Sequence, residues 1–213
     1  MDYGLNPLAV TAVTDDLSDI GDYNMYNISK LGCDHILLVT NDKLRPAIAR
    51  YALQTIGDIS WCEHVTIFTA PIREAIIRGI PLIVYGENPQ NEYGGPNEGS
   101  QTAKIMTSRW LDEFGGLNGL RPQDVVDAGI ATKEEMFQYF MPGSMQGLWP
   151  ECLFLGQFFD WDGYENFMLA REHGFMPLHA QAVEASGFNY ENLDNYQTGI
   201  HDRFKYLKFG FGR

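Results

Sequence analysis

The apolar run from Leu82 to Tyr85 constrains the fold of this 213-residue chain more than any other stretch. Ile80 and Pro81 precede the run and Gly86 ends it, so its length predicts a strand buried on both faces. Acidic and amide residues follow at once, in the sequence GENPQNEYGG. Ligands of open α/β sheets bind beyond the carboxyl ends of the strands, which makes these residues site candidates. An ordinary turn rich in Gly, Pro and Asn is the alternative.

Short apolar runs recur along the chain and alternate with amphipathic helical patterns. The runs predict strands at about residues 7–14, 35–39, 81–85 and 152–158. Helical spacing is clearest at residues 44–56 and again at 65–76, where Pro71 must either kink the helix or begin a new one. Strands that alternate with helices imply right-handed crossovers and a parallel sheet. We therefore predict an α/β fold with a parallel sheet.

Residues 96–150 differ in character from the rest of the chain. They contain a helical pattern near Ala103 to Phe114, a Gly-rich break, a Pro-led segment from Arg121 and a capping box from Thr132 to Glu135 that predicts a further helix. We expect this segment to be a helical insertion within a single domain. The domain core is then formed by residues 1–95 and 151–213.

Charge restricts the classes of partner. A net charge of -13 argues against nucleic acid and against an anionic membrane, because both require a basic surface. A local basic cluster nevertheless lies within GIHDRFKYLKFGFGR at the end of the sequence. Its His201, Lys205, Lys208 and Arg213 are the best-placed groups of this chain for phosphate oxygens. The alternative is a solvated amphipathic helix.

Cysteine usage points to a reducing compartment. Cys33, Cys62 and Cys152 are far apart and include no C-x-x-C pair, which makes a structural zinc site unexpected. Cys62 and His64 are two residues apart and are either ligands, reactive groups or structural residues; the structural interpretation is favoured. No apolar run approaches the roughly 18 residues of a membrane span, and the acidic start has no signal-peptide layout. We expect a cytoplasmic protein.

Polar residues follow three successive predicted strands. They are Thr40 and Asn41 after the second strand, Glu87 and Asn88 after the third, and Asp160, Trp161 and Asp162 after the fourth. Because the carboxyl ends of parallel strands lie at one edge of a sheet, this recurrence favours a shared rim over three unrelated turns.

Several longer stretches resemble one enzyme family. They are TDDLSDIGDYN with Asn24 and Asn27, the region of Cys62 and His64 running into IFTAPIREAI, GIPLIVYGENPQNEYGG, FFDWDGYENFMLAREHGF, and NLDNYQTGIHDRFKYLKFGFGR. The chain resembles the N-acetyl sugar amidotransferases of lipopolysaccharide and nonulosonic-acid biosynthesis, a branch of the N-type ATP pyrophosphatases (PP-loop superfamily). The resemblance implies a three-layer HUP-type fold, similar to adenine-nucleotide alpha hydrolases. It also implies that a first strand and a Ser-Gly-Gly-x-Asp-Ser pyrophosphate loop precede the matching region and that the family continues beyond FGFGR, so we expect the chain to represent the middle of such an enzyme.

The resemblance implies an ATP-dependent reaction. ATP and Mg²⁺ activate the amide oxygen of an N-acetyl group on a sugar as an adenylate. Ammonia from a separate glutaminase subunit then displaces AMP, which leaves an acetamidino group on the sugar. The residues that we assign to catalysis, in orienting metal or substrate, are Glu87, Asn88 and Glu92. Those assigned to the sugar are Asn41, Tyr93, Asp160, Trp161 and Asp162, and those assigned to phosphate are His201, Lys205, Lys208 and Arg213. We assign no separate set of metal ligands.

Two alternatives remain open at the level of sequence. The pyrophosphate loop is missing from this sequence. One alternative is that the chain is inactive alone, either as a remnant or as a half that is complemented by a separate N-terminal piece carrying the loop. The other alternative is a different PP-loop activity. A tRNA-modifying or amide-forming enzyme is disfavoured by the acidic charge and the lack of cysteine pairs.

Overall fold

The computed structural model describes residues 4–13, 17–86, 104–143, 149–160, 162–178, 190 and 193–210. The chain is mixed α/β, as predicted, and divides into two compact units. The first unit combines Met1–Leu37 with Trp161–Arg213, and the second is Leu38–Asp160. The predicted insertion at residues 96–150 falls wholly within the second unit, while its role as an insertion stays a prediction. Among the described residues, no helix combines the length and apolar character that a bilayer crossing requires.

The helices and strands follow one another in the order expected of an α/β chain. They are β1 (Leu8–Ala12), α1 (Asp19–Lys30), β2 (Asp34–Leu38), α2 (Arg45–Ile56), α3 (Trp61–Arg78), β3 (Leu82–Tyr85), α4 (Ser108–Phe114), α5 (Pro122–Asp127), β4 (Glu151–Phe154), a 3₁₀ turn (Leu155–Gln157), α6 (Gly163–Glu172) and α7 (Thr198–Phe209).

The strands form two parallel pairs within the described residues. β1 pairs with β2, and β3 pairs with β4 in a register that places Leu82 opposite Glu151 and Tyr85 opposite Phe154. The predicted strand positions and their parallel direction are thus confirmed, whereas one parallel sheet that contains all four strands stays a prediction. The fourth strand is shorter than predicted, because the chain turns into the 3₁₀ segment directly after Phe154.

β3 is buried on one face, and the prediction of burial on both faces was wrong. Ile83 and Tyr85 are 8% and 4% exposed, whereas Leu82 and Val84 are 48% and 54% exposed. The buried face contacts α3, where the rings of Phe68 and Tyr85 lie 5.6 Å apart. Successive side chains of a strand point to opposite faces, so a sheet covered on one side leaves every second residue open even in a wholly apolar run.

The longest helix, α3, is the centre of the second unit. Pro71 lies inside it and neither ends it nor begins a new helix. Trp61, Val65, Phe68 and Ile72 are fully buried and recur at three- and four-residue spacing, which gives the helix an apolar stripe. This stripe packs in the same core cluster as residues of β3, β4 and the 104–139 segment.

The segment 104–143 contains less helix than its sequence predicts. α4 begins at Ser108, several residues later than the predicted start near Ala103. The capping box forms, with Thr132 N–H donating to Glu135 Oε2 at 2.8 Å and Glu135 N–H donating to Thr132 Oγ1 at 3.2 Å. The residues after it nevertheless form turns, because Met136 and Tyr139 are drawn into the core, where they are 0% and 2% exposed.

In the first unit, α1 is bonded at its start and in its middle to segments distant in sequence. Ser18 Oγ accepts from Gly21 N–H at the start of the helix and donates to the Leu193 carbonyl. Gly21 packs so closely on the main chain of Asp194 that a Cβ at this position would lie 2.6 Å from Asp194 Cα. Further along α1, the Asn24 side chain donates to the Met176 carbonyl and accepts from Met176 N–H.

We expect Gly21→Ala to lower the free energy of unfolding by about 1–3 kcal/mol, because the new methyl group overpacks against main-chain atoms that cannot rotate away. The control is Gly199→Ala in α7, where a Cβ meets nothing within 4 Å. There alanine should stabilise the helix by up to about 1 kcal/mol relative to glycine. Urea denaturation followed by circular dichroism measures both variants. Equal midpoints for the two variants would show that α1 does not depend on this close approach.

Candidate functional site

Half of the residues assigned from sequence lie in the described part of the chain. Those outside the described residues are Glu87, Asn88, Glu92, Tyr93, Trp161 and Arg213. Those within it are Asn41, Asp160, Asp162, His201, Lys205 and Lys208.

Asn41 lies in the turn between β2 and α2, and its side chain shapes this turn. Its Oδ1 accepts from the N–H groups of Lys43 at 3.0 Å and Leu44 at 3.3 Å, which makes an Asx turn. Its carbonyl accepts from the N–H of Leu44 and of Arg45. Asn41 is exposed, and the contacts of its Oδ1 are those of a residue that starts a helix.

The carboxyl ends of β3 and β4 lie side by side, because Tyr85 pairs with Phe154 in the last position of both strands. Asp160 is exposed and follows β4 only after the 3₁₀ turn, so it does not extend directly from the strand end. Asp162 is the N-cap of α6, and its Oδ1 accepts from the N–H groups of Tyr164 and Glu165, both at 2.9 Å. A carboxylate there also favours the positive end of the helix dipole.

The second unit contains a buried ion pair that the sequence did not reveal. Arg45 is the first residue of α2, and its Nη2 lies 3.0 Å from Oε1 of Glu63 in the first turn of α3. The two side chains are 3% and 11% exposed. The partners are 18 residues apart and belong to different helices, so no local pattern could have indicated the pair.

Asp58 and His64 form a second buried pair at the start of α3. Asp58 Oδ1 accepts from Ser60 N–H at 2.8 Å, and its Oδ2 lies 2.9 Å from His64 Nδ1. The sequence singled out His64 but missed Asp58. The available signal was an acidic residue just before a helix start, which is the usual position for a side chain that accepts from free N–H groups.

Cys62 is enclosed by the core of the second unit. It is 1% exposed, and its thiol neighbours the hydroxyl of Tyr139, whose pKa is raised by burial. Tyr139 in turn stacks on Trp61 at 5.9 Å, and the Trp61 indole N–H donates to the Leu120 carbonyl at 2.9 Å. These contacts are those of a structural cysteine, which agrees with the favoured interpretation of the sequence.

Three of the residues assigned to phosphate share one face of α7. His201, Lys205 and Lys208 follow at four- and three-residue intervals, the spacing that aligns side chains along a helix. Their exposure differs, since Lys205 is 9% exposed, His201 is half-buried and Lys208 is exposed. The Lys208 ammonium lies 5.0 Å from the Phe209 ring centroid, and Gly210 ends the helix with a φ of 75°. The face thus combines a buried cation with an exposed one.

No protein-family model matches the chain, and no curated protein matches it either. The described structure defines a mixed α/β protein with parallel strand pairs. The family resemblance therefore depends on the sequence motifs.

We expect Glu63→Gln to lower the free energy of unfolding by about 3 kcal/mol, because it leaves the charge of Arg45 buried without its counter-ion. The matched control is Glu74→Gln, which removes a similar contact to Arg78 whose side chain is 48% exposed. An exposed pair contributes about 0.5 kcal/mol or less. Chemical denaturation measures the free energy of unfolding of both variants. Similar losses of this free energy would mean that burial does not make the Arg45–Glu63 pair more important for stability than the exposed pair.

Thiol titration separates the cysteines by burial. Cys33 is half-buried, whereas Cys62 and Cys152 are buried, and burial raises the pKa of Cys152 to about 11. At pH 8 the thiolate fraction of Cys152 is therefore on the order of 0.1%. We expect Ellman's reagent to label one thiol of the folded chain rapidly and the other two only after denaturation. Cys33→Ser should remove the rapid phase; rapid labelling of Cys62 or Cys152 would contradict the structural assignment.

Proposed function

We propose that this chain forms part of an ATP-dependent amidotransferase that converts an N-acetyl group on a sugar or nucleotide-sugar to an acetamidino group. The proposal includes a HUP-type three-layer arrangement, ammonia from a glutaminase subunit, and a cytoplasmic role in surface-polysaccharide biosynthesis. Its sequence support is the combination of GENPQNEYGG with GIHDRFKYLKFGFGR. The structural observation that carries it is the shared face of His201, Lys205 and Lys208 on α7.

Some of the described side chains are of the kinds that bind phosphate and Mg²⁺ in proteins, which supports the proposal. Phosphate oxygens are bound by lysine as a point charge and by the ring N–H groups of histidine, which suits the α7 face. Mg²⁺ prefers carboxylate oxygens, and Asp160 offers an exposed one. When bound, ATP would supply AMP as the leaving group that carries away the amide oxygen, and Mg²⁺ would offset the charge of the departing pyrophosphate. Glu87 and Glu92 are the further carboxylates of the proposal, by their place in the GENPQNEYGG motif.

The roles of the polypeptide in the proposed reaction are binding and orientation. Lys208, an exposed cation on the α7 face shared with His201, holds phosphate oxygens, and the burial of Lys205 restricts the positions its ammonium group can adopt. Asp162 keeps Oδ1 at the start of α6, which leaves its second oxygen to accept from a sugar hydroxyl. Placing these groups before the reaction is the main contribution that such side chains make to the rate.

A complementing half of such an enzyme is the second candidate, and the exposed strand faces support it. Parallel sheets normally have both faces covered, and pairs of strands are marginal alone. Leu82 and Val84 of β3 are about half exposed, as are Leu37 of β2 and Val39 just after it, at 46% and 63%. A separate N-terminal piece with a strand, a pyrophosphate loop and the helix that follows the loop would supply a helix to cover such a face as well as the phosphate cradle. The net charge of -13 disfavours a tRNA-modifying PP-loop enzyme.

The 213-residue chain alone should bind UDP-N-acetyl sugars weakly and release no AMP at an enzymatic rate. The reason is that its sequence has no Ser-Gly-Gly-x-Asp-Ser loop, and each missing donor to a developing anion costs roughly 3–4 kcal/mol. Calorimetry measures sugar binding, and AMP release is followed with ATP, Mg²⁺, ammonia and candidate sugars. Adding a separately expressed N-terminal piece with the loop should restore release.

Substitution of Lys208 tests the α7 face directly. Lys208→Ala should weaken the binding of pyrophosphate roughly tenfold, the loss expected for one charge-assisted contact, while Lys43→Ala at an exposed lysine of the other unit should leave it unchanged. Sugar-dependent AMP release by the chain alone would refute the need for complementation. Failure to bind any sugar or pyrophosphate would refute the amidotransferase proposal itself.

A further inference from the structure

The second unit contains a pocket of about 350 Å³ that shares no residue with the candidate site. It lies between α3 and the segment 133–143, and it falls in the size range of small-molecule sites. Its apolar wall includes Ile76 and Ile77 of α3 and Phe137, Phe140 and Met141 of the facing segment. Ile77 and Phe137 remain 63% and 56% exposed, so the mouth is open to solvent.

Hydrogen bonds hold the two walls of this pocket together. Arg73 Nη2 donates to the carbonyls of Phe137 and Phe140, both at 2.9 Å, and the guanidinium lies 4.1 Å from the Phe137 ring centroid. Thr69 Oγ1 donates to the Gln138 carbonyl at 2.8 Å one turn earlier in α3. Because these bonds join one wall of the pocket to the other through protein groups alone, they fix the walls relative to each other, and binding need not order them.

The polar groups of the pocket are cationic. Arg73 and Lys133 line it, and none of the lining residues that the structure describes is a carboxylate, although the chain carries a net charge of -13. Nε of Arg73 is buried and has no hydrogen-bond partner among the described residues. Burial also lowers the pKa of Arg73, which is the direction expected for a charge that lacks full solvation. An anion at this position would supply both a hydrogen-bond acceptor and a counter-charge.

We propose that this pocket binds a small amphipathic anion, of the class of medium-chain or aromatic carboxylates. The hydrocarbon part contacts Ile76, Ile77 and Phe140, and the carboxylate faces Lys133 and the Arg73 guanidinium. Apolar contact supplies most of the affinity, and the two cations select an anion over a neutral or cationic analogue. This site is independent of the amidotransferase proposal, since it requires neither ATP nor a sugar.

The test is calorimetric titration of the full chain with sodium octanoate, with 1-octanol and octyltrimethylammonium as neutral and cationic probes. We expect saturable binding of one octanoate per chain and weaker binding of both other probes. Lys133→Glu should weaken octanoate binding roughly threefold to tenfold, because it replaces an attraction by a repulsion. Lys43→Glu is the matched control and should have no effect, and Ile77→Asp should abolish binding while circular dichroism reports an unchanged fold.

Three outcomes would overturn the proposal. The first is no saturable octanoate binding at concentrations up to about 10 mM, a range in which even affinities of about 4 kcal/mol are detected. The second is equal binding of octanoate and 1-octanol, or equal effects of Lys133→Glu and Lys43→Glu. The third is that the chain sediments as a dimer and that Phe137→Ser converts it to a monomer. This result would show that a second copy of the chain covers this surface.

Discussion

The second unit depends on the burial of α3, a helix in which eleven of 18 residues are buried. An apolar stripe cannot account for so much burial, since it covers only one side of a helix. Four of the other buried positions are polar, namely Glu63, His64, Thr66 and Thr69, and each needs a partner because an unsatisfied polar group in the core costs roughly 1–3 kcal/mol. Thr66 bonds within α3, whereas the partners of the other three come from α2, from the turn before α3 and from the segment after Thr132, so these three parts are positioned by the polar side of α3.

The positions of helices and strands along the chain were predictable where neighbouring residues alone determine them. The periodicity of α2 and the apolar runs of β1 to β4 indicate these elements within a few residues, because each pattern reflects the geometry of its own backbone. The Asx turn at Asn41 and the helix cap at Asp162 are local as well. By contrast, the burial of β3 on one face depends on what packs against it, and the Arg45–Glu63 pair depends on where two helices meet. Neither feature can be predicted from a short stretch of the sequence.

The capping box at Thr132 shows how a correct local signal can lead to an incorrect element. Both of its hydrogen bonds form, yet the chain beyond it follows the core and not a helix. Pro71 is the opposite case, since a residue that usually interrupts helices lies within α3. In both places tertiary packing outweighs a local preference of a few kcal/mol at most. The candidate site shows the same ambiguity, because a polar residue after a strand serves equally as a helix cap or a ligand contact.

The side chain of Asn24 links α1 to the segment after α6 by an arrangement that depends on its amide. Nδ2 donates to the carbonyl of Met176, and Oδ1 accepts from the N–H of the same residue, at 2.9 and 2.7 Å. This link carries no charge and is therefore insensitive to salt, but its amide group can be lost by deamidation. Deamidation of Asn24 would replace the donor by a carboxylate oxygen facing the Met176 carbonyl, which offers no proton to share. Spontaneous hydrolysis of this one side chain would therefore weaken the contact between α1 and the segment after α6 in the first unit.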